Sequence, residues 1–350
     1  MKFFGDILAI ILAFLFAYAA RHFFSPPIQS LSFYWSLLVF AIIALFIAFL
    51  IFRIYSNHRP ILSFSYLVDF LRTLAFWGAL LIIFAYFTKT DYSRVVVFLF
   101  FLFSVILLFA SRIIIFKNRN DYRVNQDNEL HQIINEMVKI ASLSSDDLAL
   151  LEGVQRARAP SGIYFLFKRL LDILGALIGL ILTLPFYPLL IWLIKEGGSG
   201  PVIIKQERVC QNGRKFILYK FRTMRSDTEL YAAAPRRNDD PRVTKIGKWL
   251  RQYSLDELPQ FWNVLKGEMS LVGPRPEMPF IVAKYDHWQK IRLSTKPGIT
   301  GIWQILGRKD LPLEENIEYD LYYIFHQSFF LDLAIILRTI PHLLFPRGAY

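Results

Sequence analysis

The sequence predicts a membrane protein in two parts: an α-helical transmembrane bundle, then a small mixed α/β domain carrying a re-entrant membrane helix and interfacial amphipathic helices. Three observations predict it. Hydrophobic residues make up 55% of the chain and charged residues only 19%, against the roughly 25% charge of a soluble domain. Charge is unevenly spread, with three acids (Asp6, Asp69, Asp91) and eight Lys/Arg in residues 1–116 but 26 Lys/Arg against 18 acids in residues 161–350. Four apolar runs, at 3–20, 33–52, 70–87 and 95–116, are each near the roughly 20 residues that cross a bilayer as a helix.

The organisation follows: residues 1–116 as a four-helix bundle, 117–160 as a cytoplasmic linker and 161–350 as a membrane-associated domain. The first run competes with a signal peptide, since Ala17-Tyr18-Ala19 resembles a cleavage site, but Lys2 followed by Asp6 makes a weak n-region. Basic residues orient the bundle. Arg53 and Arg59 lie between runs two and three with Arg72 at the start of run three, and Arg112 lies near the end of run four with Lys117, Arg119 and Arg123 after it. This bias puts both ends of the bundle in the cytoplasm. Within the linker, residues 128–141 could form a short amphipathic helix.

The segment 170–194 is apolar except for Asp172 and long enough to span. An ordinary fifth crossing is the plainer reading. Pro185 and Pro188 argue otherwise, because an interior proline removes a helix hydrogen bond and forces a kink. A crossing would also carry the basic C-terminal half to the other side. The expectation is a broken helix over about 168–194 that enters and leaves on one side.

Beyond it, 201–209 and 214–221 read as strands joined by Asn212-Gly213, a strong hairpin signal. Residues 226–242 read as a mobile loop, 245–253 and 258–265 as helices, and 319–345 as one or two helices along the interface. The single cysteine, Cys210, excludes an internal disulfide and a multi-thiolate metal site. A net charge of +12 suits nucleic acid, anionic lipid or phosphorylated substrates. Beside a membrane the last two are favoured and no nucleic-acid partner is expected.

Ser254-Leu255-Asp256-Glu257-Leu258-Pro259-Gln260 puts two adjacent carboxylates at a helix start. One frame is a capping box, with Ser254 as N-cap and Glu257 three residues on. In the other frame Pro259 opens the helix and the pair lies just before it. Cations on short, stiff segments surround the pair in sequence: Lys220 and Arg222 at the hairpin's end, Arg251, Arg275 in Gly273-Pro274-Arg275-Pro276, and Arg308 after Gly307. Such a set suggests a phosphate site, because arginine forks match phosphate oxygens. Paired carboxylates there can ligate Mg2+ or attack phosphorus.

Gly200-Pro201-Val202, Gln206-Glu207-Arg208-Val209, Tyr219-Lys220-Phe221-Arg222-Thr223-Met224, Asp256-Glu257-Leu258-Pro259-Gln260, Gly273-Pro274-Arg275-Pro276 and Lys296-Pro297-Gly298-Ile299-Thr300-Gly301 occur in this order. Over residues 167–344 the chain resembles the bacterial sugar transferases, or monotopic phosphoglycosyl transferases, and its four-helix start resembles their larger members. The resemblance implies transfer of a sugar-1-phosphate from a UDP-sugar, galactose or glucose by preference, to undecaprenyl phosphate with release of UMP. That step would open O-antigen, capsule or exopolysaccharide synthesis at the cytoplasmic face of a bacterial inner membrane.

It further implies Asp256 as nucleophile, Glu257 as the Mg2+-binding partner and Lys220, Arg251, Arg275 and Arg308 as substrate-binding residues, with Arg222 as an addition. Pro185 matches the break of the re-entrant helix, and Lys168 and Arg169 a basic anchor at the membrane surface. Two departures stand out. Cys210 replaces a usual glycine, and residues 117–160 leave no room for the nucleotide-binding-like domain of larger relatives. Homo-oligomerisation stays open. A polytopic transferase with its site among the helices finds only Asp6, Asp69 and Asp91 in the bundle. A non-enzymatic scaffold for polysaccharide assembly would leave the carboxylates and arginines unemployed.

Overall fold

The computed structural model describes residues 2–24, 29–55, 63–88, 92–117, 160–229, 231, 240–286, 288–306 and 317–344. The chain divides into two compact units, Met1–Glu129 and Leu130–Tyr350. The helix expected at 128–141 and most of the loop at 226–242 lie outside the described residues.

The first unit holds four helices: α1 (Lys2–Phe24), α2 (Trp35–Ile51), α3 (Phe64–Phe87) and α4 (Arg94–Lys117). All four are long and apolar enough to cross a membrane, as the runs foretold. They pack mainly as α1 on α4 and α2 on α3. Many apolar side chains face outward, Ile82 at 67% exposure among them, which water would penalise and lipid does not. The interior is polar at one point. Both terminal nitrogens of Arg112 donate to Asp6, each at 2.8 Å, and the Tyr55 hydroxyl donates to the same carboxylate at 2.8 Å. Arg112 and Asp6 are both buried. The acid met in the bundle is thus fully employed in holding α1 to α4.

The second unit begins with α5 (Gly162–Thr183), started by Ser161, whose hydroxyl accepts from the Tyr164 amide. A 3-10 turn, Leu184–Phe186, interrupts the helix at Pro185, and α6 (Tyr187–Glu196) continues with Pro188 in its first turn. Both ends of this segment are packed on the same unit. On α5, Ala176 joins a core with Cys210, Phe216, Leu218, Val264 and Met269. On α6, Leu190 and Ile194 join Phe221 and Leu250. Between them Ile178, Ile181, Leu182, Leu184, Phe186 and Leu189 are exposed.

Strands β1 (Ile203–Val209) and β2 (Lys215–Phe221) form the expected antiparallel hairpin, with Ile203 opposite Phe221 and Val209 opposite Lys215. Asn212 and Gly213 take positive φ of 60° and 74° at the turn, the conformation a tight hairpin asks of such residues. Cys210 ends β1, with its amide donating to the Arg214 carbonyl at 2.7 Å, and its side chain is part of the core.

Helix α7 (Lys245–Gln252) and α8 (Gln260–Lys266) follow. Two three-residue strands, β3 (Ser270–Val272) and β4 (Gly298–Thr300), pair in parallel. Short helices α9 (Pro279–Val282) and α10 (Ile302–Leu306) flank β4 in sequence, and α11 (Glu318–Phe325) and α12 (Phe329–Leu344) end the described chain. The C-terminal apolar stretch is therefore two helices. Most of α11 is interior, whereas α12 buries Leu331, Ala334 and Ile335 and exposes Phe329, Ile340 and Leu343.

Two basic residues of α5 are held by the domain itself. Lys168 is buried, and its ammonium donates to Asp332 Oδ2, the Tyr323 hydroxyl and the Val272 carbonyl, each at 3.0 Å. Arg169 donates to the Val264 and Leu265 carbonyls, both at 2.7 Å, near the end of α8. Both cations have partners within the domain, because helix ends and buried carboxylates need internal partners.

Candidate active site

The carboxylate pair is held by what comes before and after it. Thr244 caps α7 by accepting from the Gly247 amide at 2.9 Å. Gly247 lies against the Thr223 carbonyl so closely that any Cβ would collide with it, which fixes α7 to the end of the hairpin. At the end of α7, Ser254 adopts φ 56°, a left-handed corner unusual for a residue with a side chain. A 3-10 turn over Leu255–Glu257 follows, then Pro259 and α8. The pair therefore lies ahead of the helix, and Ser254 makes no side-chain cap, which settles the two frames in favour of the second. Leu255 and Leu258 pack into the core beside α6.

Asn263 ties the turn to the hairpin. Its amide donates to the Ile217 carbonyl at 2.7 Å, and its oxygen accepts from the Tyr219 amide at 3.2 Å. Lys220 is the next residue on β2. Strand alternation puts Lys220 on the same sheet face as Arg208, since facing pairs and every second residue share a side.

Arg275 arrives on the Gly273-Pro274-Arg275-Pro276 turn. The Gly273 amide donates to the Thr300 carbonyl at 3.0 Å, and the Gly298 amide to the Pro274 carbonyl at 2.8 Å. Arg292 holds the same turn by donating to the Arg275 carbonyl at 2.9 Å and to Asp320 at 2.7 Å. The Arg275 guanidinium lies 3.5 Å from Glu257 Oε1 and 5.8 Å from the centre of the Trp303 ring.

Electrostatics set Asp256 apart. Protein crowds its carboxyl and Glu257 sits beside it, and together these push it up to about 6 despite the pull of Lys220, Arg251 and Arg275. Burial lowers Lys220 to about 8, with Asp256 resisting. Burial also lowers Arg251, whose Nη1 is buried with no hydrogen-bond partner among the described residues. This is a cationic nest with spare donors around a carboxylate poised near neutrality, a constellation suited to phosphate chemistry.

The structure thus brings together Lys220, Arg251, Asp256, Glu257 and Arg275. Arg308 lies outside the described residues. Arg222 goes elsewhere: it donates to the carbonyls of Ile194, Gly198 and Ser199 and closes the C-terminal end of α6. Sequence reasoning quoted Arg208 but gave it no part. It is buried, donates to Gln206 at 2.9 Å, lies 3.9 Å from Glu277 and has its pKa lowered by burial to about 10. Strand alternation with Lys220 was the signal that could have found it.

Among the described residues no three His, Cys, Asp or Glu side chains gather as a metal site. Mg2+ needs fewer, since it takes one or two carboxylates and fills its other positions with water and substrate phosphate. Asp256 and Glu257, adjacent hard-oxygen donors, fit that requirement.

Residues 163–346, just over half of the chain, match the family described as bacterial sugar transferase. Residues 62–155 match a family described as a CoA-binding domain, a similarity that takes in α3 and α4 as well as the linker. A galactosyl transferase, CpsE, of Streptococcus agalactiae is 46% identical over 198 residues, covering 53% of this chain and 44% of that protein. The exopolysaccharide production protein ExoY of Sinorhizobium fredii is 37% identical over 198 residues, 52% of this chain and 88% of its own. A UDP-N-acetylgalactosamine-undecaprenyl-phosphate N-acetylgalactosaminephosphotransferase of Aeromonas hydrophila is 38% identical over 227 residues, 63% of this chain and 52% of its own. The chain therefore spans about half the length of the first and third of these relatives.

Proposed function

This chain belongs to the bacterial sugar transferase family, and from that premise we propose that it moves a sugar-1-phosphate from a UDP-sugar to undecaprenyl phosphate. The observation that carries the reading is Asp256, an uncapped carboxylate beside Glu257 with Lys220, Arg251 and Arg275 acting on it.

In the proposed reaction an Asp256 oxygen attacks the sugar-bearing phosphorus. The new O–P bond forms as the anhydride bond breaks, and UMP leaves with the electron pair. An oxygen of undecaprenyl phosphate then attacks the same phosphorus, forming undecaprenyl-diphosphate-sugar and returning the carboxylate. Arg251 and Arg275 offset the charge on the diphosphate and on the departing UMP, where fixed cations act more strongly than in water. Lys220 keeps Asp256 ionised. Mg2+, held by Glu257 with Asp256 beside it, would supply further charge neutralisation at the phosphate oxygens.

The lipid substrate fixes where the domain works. Both ends of the segment 162–196 are packed on the second unit, while its apolar middle is exposed around Pro185. We read this as a hairpin that dips into the bilayer and returns, with α12 alongside. Four crossings by α1 to α4 keep the site in the cytoplasm, where UDP-sugars are made. The relatives' printed names concern galactose and N-acetylgalactosamine. Galactose or glucose is the proposed sugar, and polysaccharide synthesis (O-antigen, capsule or exopolysaccharide) the pathway. Against the scaffold reading stands the unpaired Arg251 nitrogen beside a strained carboxylate turn, which a scaffold has no use for.

The test is to incubate purified protein with undecaprenyl phosphate, Mg2+ and a panel of UDP-sugars and to measure UMP. Release of UMP together with a lipid-linked diphosphosugar is expected for at least one sugar. Monodisperse protein that releases none from any sugar would sink the reading.

A further inference from the structure

Two consecutive residues of α10 carry buried polar atoms that nothing described satisfies. Trp303 is 9% exposed, and its indole nitrogen has no hydrogen-bond partner among the described residues. Gln304 has both its amide oxygen and its amide nitrogen buried and without a partner among them. A buried amide left unpaired is costly to the fold, and such groups are rare in native interiors. Three such atoms on two consecutive residues call for a ligand.

Their surroundings name its class. A Cβ built on Gly301 would lie 2.6 Å from Gln304 Oε1 and would collide with the Gly273 carbonyl. The amide is thus folded back over Gly301, which itself packs on the first residue of the turn that carries Arg275. The Trp303 ring lies 5.8 Å from the Arg275 guanidinium, which lies 3.5 Å from Glu257. The unpaired atoms and the proposed phosphate cations therefore belong to one neighbourhood. A primary amide offers a donor and an acceptor side by side, and its complement is an acceptor next to a donor. A nucleotide sugar presents that edge three times: in the uracil ring, where N3–H adjoins carbonyls, in the vicinal hydroxyls of the ribose, and in those of the transferred sugar.

We infer that Gln304, with the Trp303 indole beside it, binds a donor–acceptor edge of the UDP-sugar next to the arginine that takes its diphosphate. The inference rests on the proposed function. It makes Gln304 a binding residue for the donor substrate, in a role no charge pattern would reveal. It also gives Gly301 a purpose, since a side chain there would displace the amide.

The experiment uses the full chain in nanodiscs and reads two quantities, thermal midpoint and affinity, for wild type, Gln304→Leu and Gln304→Glu. Affinity is measured by calorimetry with UDP-galactose, UDP-glucose, UDP-N-acetylgalactosamine and UMP. Leucine removes both polar atoms at similar volume, so the Gln304→Leu thermal midpoint should stay level or rise. Its affinity for the preferred UDP-sugar should fall about ten- to a hundredfold, the order expected when a ligand's hydrogen-bonding groups lose their partners. Glutamate keeps the shape and removes the donor, so it should lose affinity as well. An equal loss for UMP assigns the amide to the uridine, and unchanged UMP binding assigns it to the transferred sugar. Unchanged affinity for every ligand overturns the inference while leaving the function standing. A lowered midpoint for Gln304→Leu also overturns it, because the amide would then be employed within the fold. Wild-type protein that binds no UDP-sugar would remove the proposed function and this inference together.

Discussion

Arg275 Nη1 lies 3.5 Å from Glu257 Oε1, whereas Asp256, next in the chain, has no ion-pair or hydrogen-bond partner of its own among the described residues. One carboxylate is pinned and the other is free to react. That division of labour is the basis of the first predictions.

Asp256→Asn should lower UMP release by on the order of a thousandfold or more, and no adduct should appear on the variant by intact-protein mass spectrometry after exposure to UDP-sugar. Stability should move the other way. Because the folded carboxyl is raised to about 6, ionisation costs stability as pH climbs from the ordinary carboxylate range to that value. Asparagine is free of that cost, so its thermal midpoint at pH 7 should equal or exceed the wild type's. An active Asp256→Asn enzyme would remove the nucleophile from the mechanism.

The pH dependence of kcat/KM should be a bell. Activity should rise as Asp256 ionises near pH 6 and decline as Lys220 loses its proton near pH 8. In Lys220→Arg the alkaline limb should move upward by more than one pH unit. A limb that stays in place assigns it to another group.

Glu257→Gln should impair turnover more at low Mg2+ than at saturating Mg2+, and excess EDTA should abolish wild-type activity. Hard oxygen ligands favour Mg2+ or Mn2+ in restoring it. Full activity in EDTA would exclude a metal role for Glu257.

Arg222→Met should act on the fold first. It strips the partner from three carbonyls at the end of α6, a loss of about 2–4 kcal/mol. Chemical denaturation should show the drop. If stability is unchanged and only the KM for UDP-sugar rises, Arg222 belongs to the substrate site after all.

Cysteine labelling tests the membrane hairpin. With Cys210→Ala as background, single cysteines at Ser161 and Ser199 bracket the segment 162–196. Both should react only with reagent that reaches the cytoplasm. Labelling of position 199 from the periplasm, with position 161 silent, would mean that the segment spans.

What the sequence made legible is what local chemistry encodes. Apolar length marked α1 to α4, Asn212-Gly213 marked the hairpin, and Pro259 placed the carboxylate pair ahead of α8. Pro185 marked the break between α5 and α6. The missed features are pairings between distant residues. Lys168 and Arg169 looked like a basic anchor at the membrane and Arg222 like a substrate-binding cation, yet each serves a partner at least 23 residues away in the chain. Arg292 was overlooked because its worth depends on Asp320, 28 residues on. Charge type is written locally, but its employment is decided by the fold.

The pairing of Lys168 with Asp332 bears on biogenesis. Its two members are separated by 164 residues, so at roughly 5–20 residues per second the ribosome needs on the order of ten seconds to supply the second after the first. Throughout that interval the ammonium on α5 lacks the Asp332 carboxylate that it donates to in the folded domain and has Asp172, one turn on, as its nearby opposite charge, and a charge short of its hydrogen-bonding partner resists entry into hydrocarbon. On the proposed re-entrant reading, the nascent arm should therefore wait at the bilayer surface until the C-terminal helices emerge, so that insertion of the segment and completion of the domain come late and together.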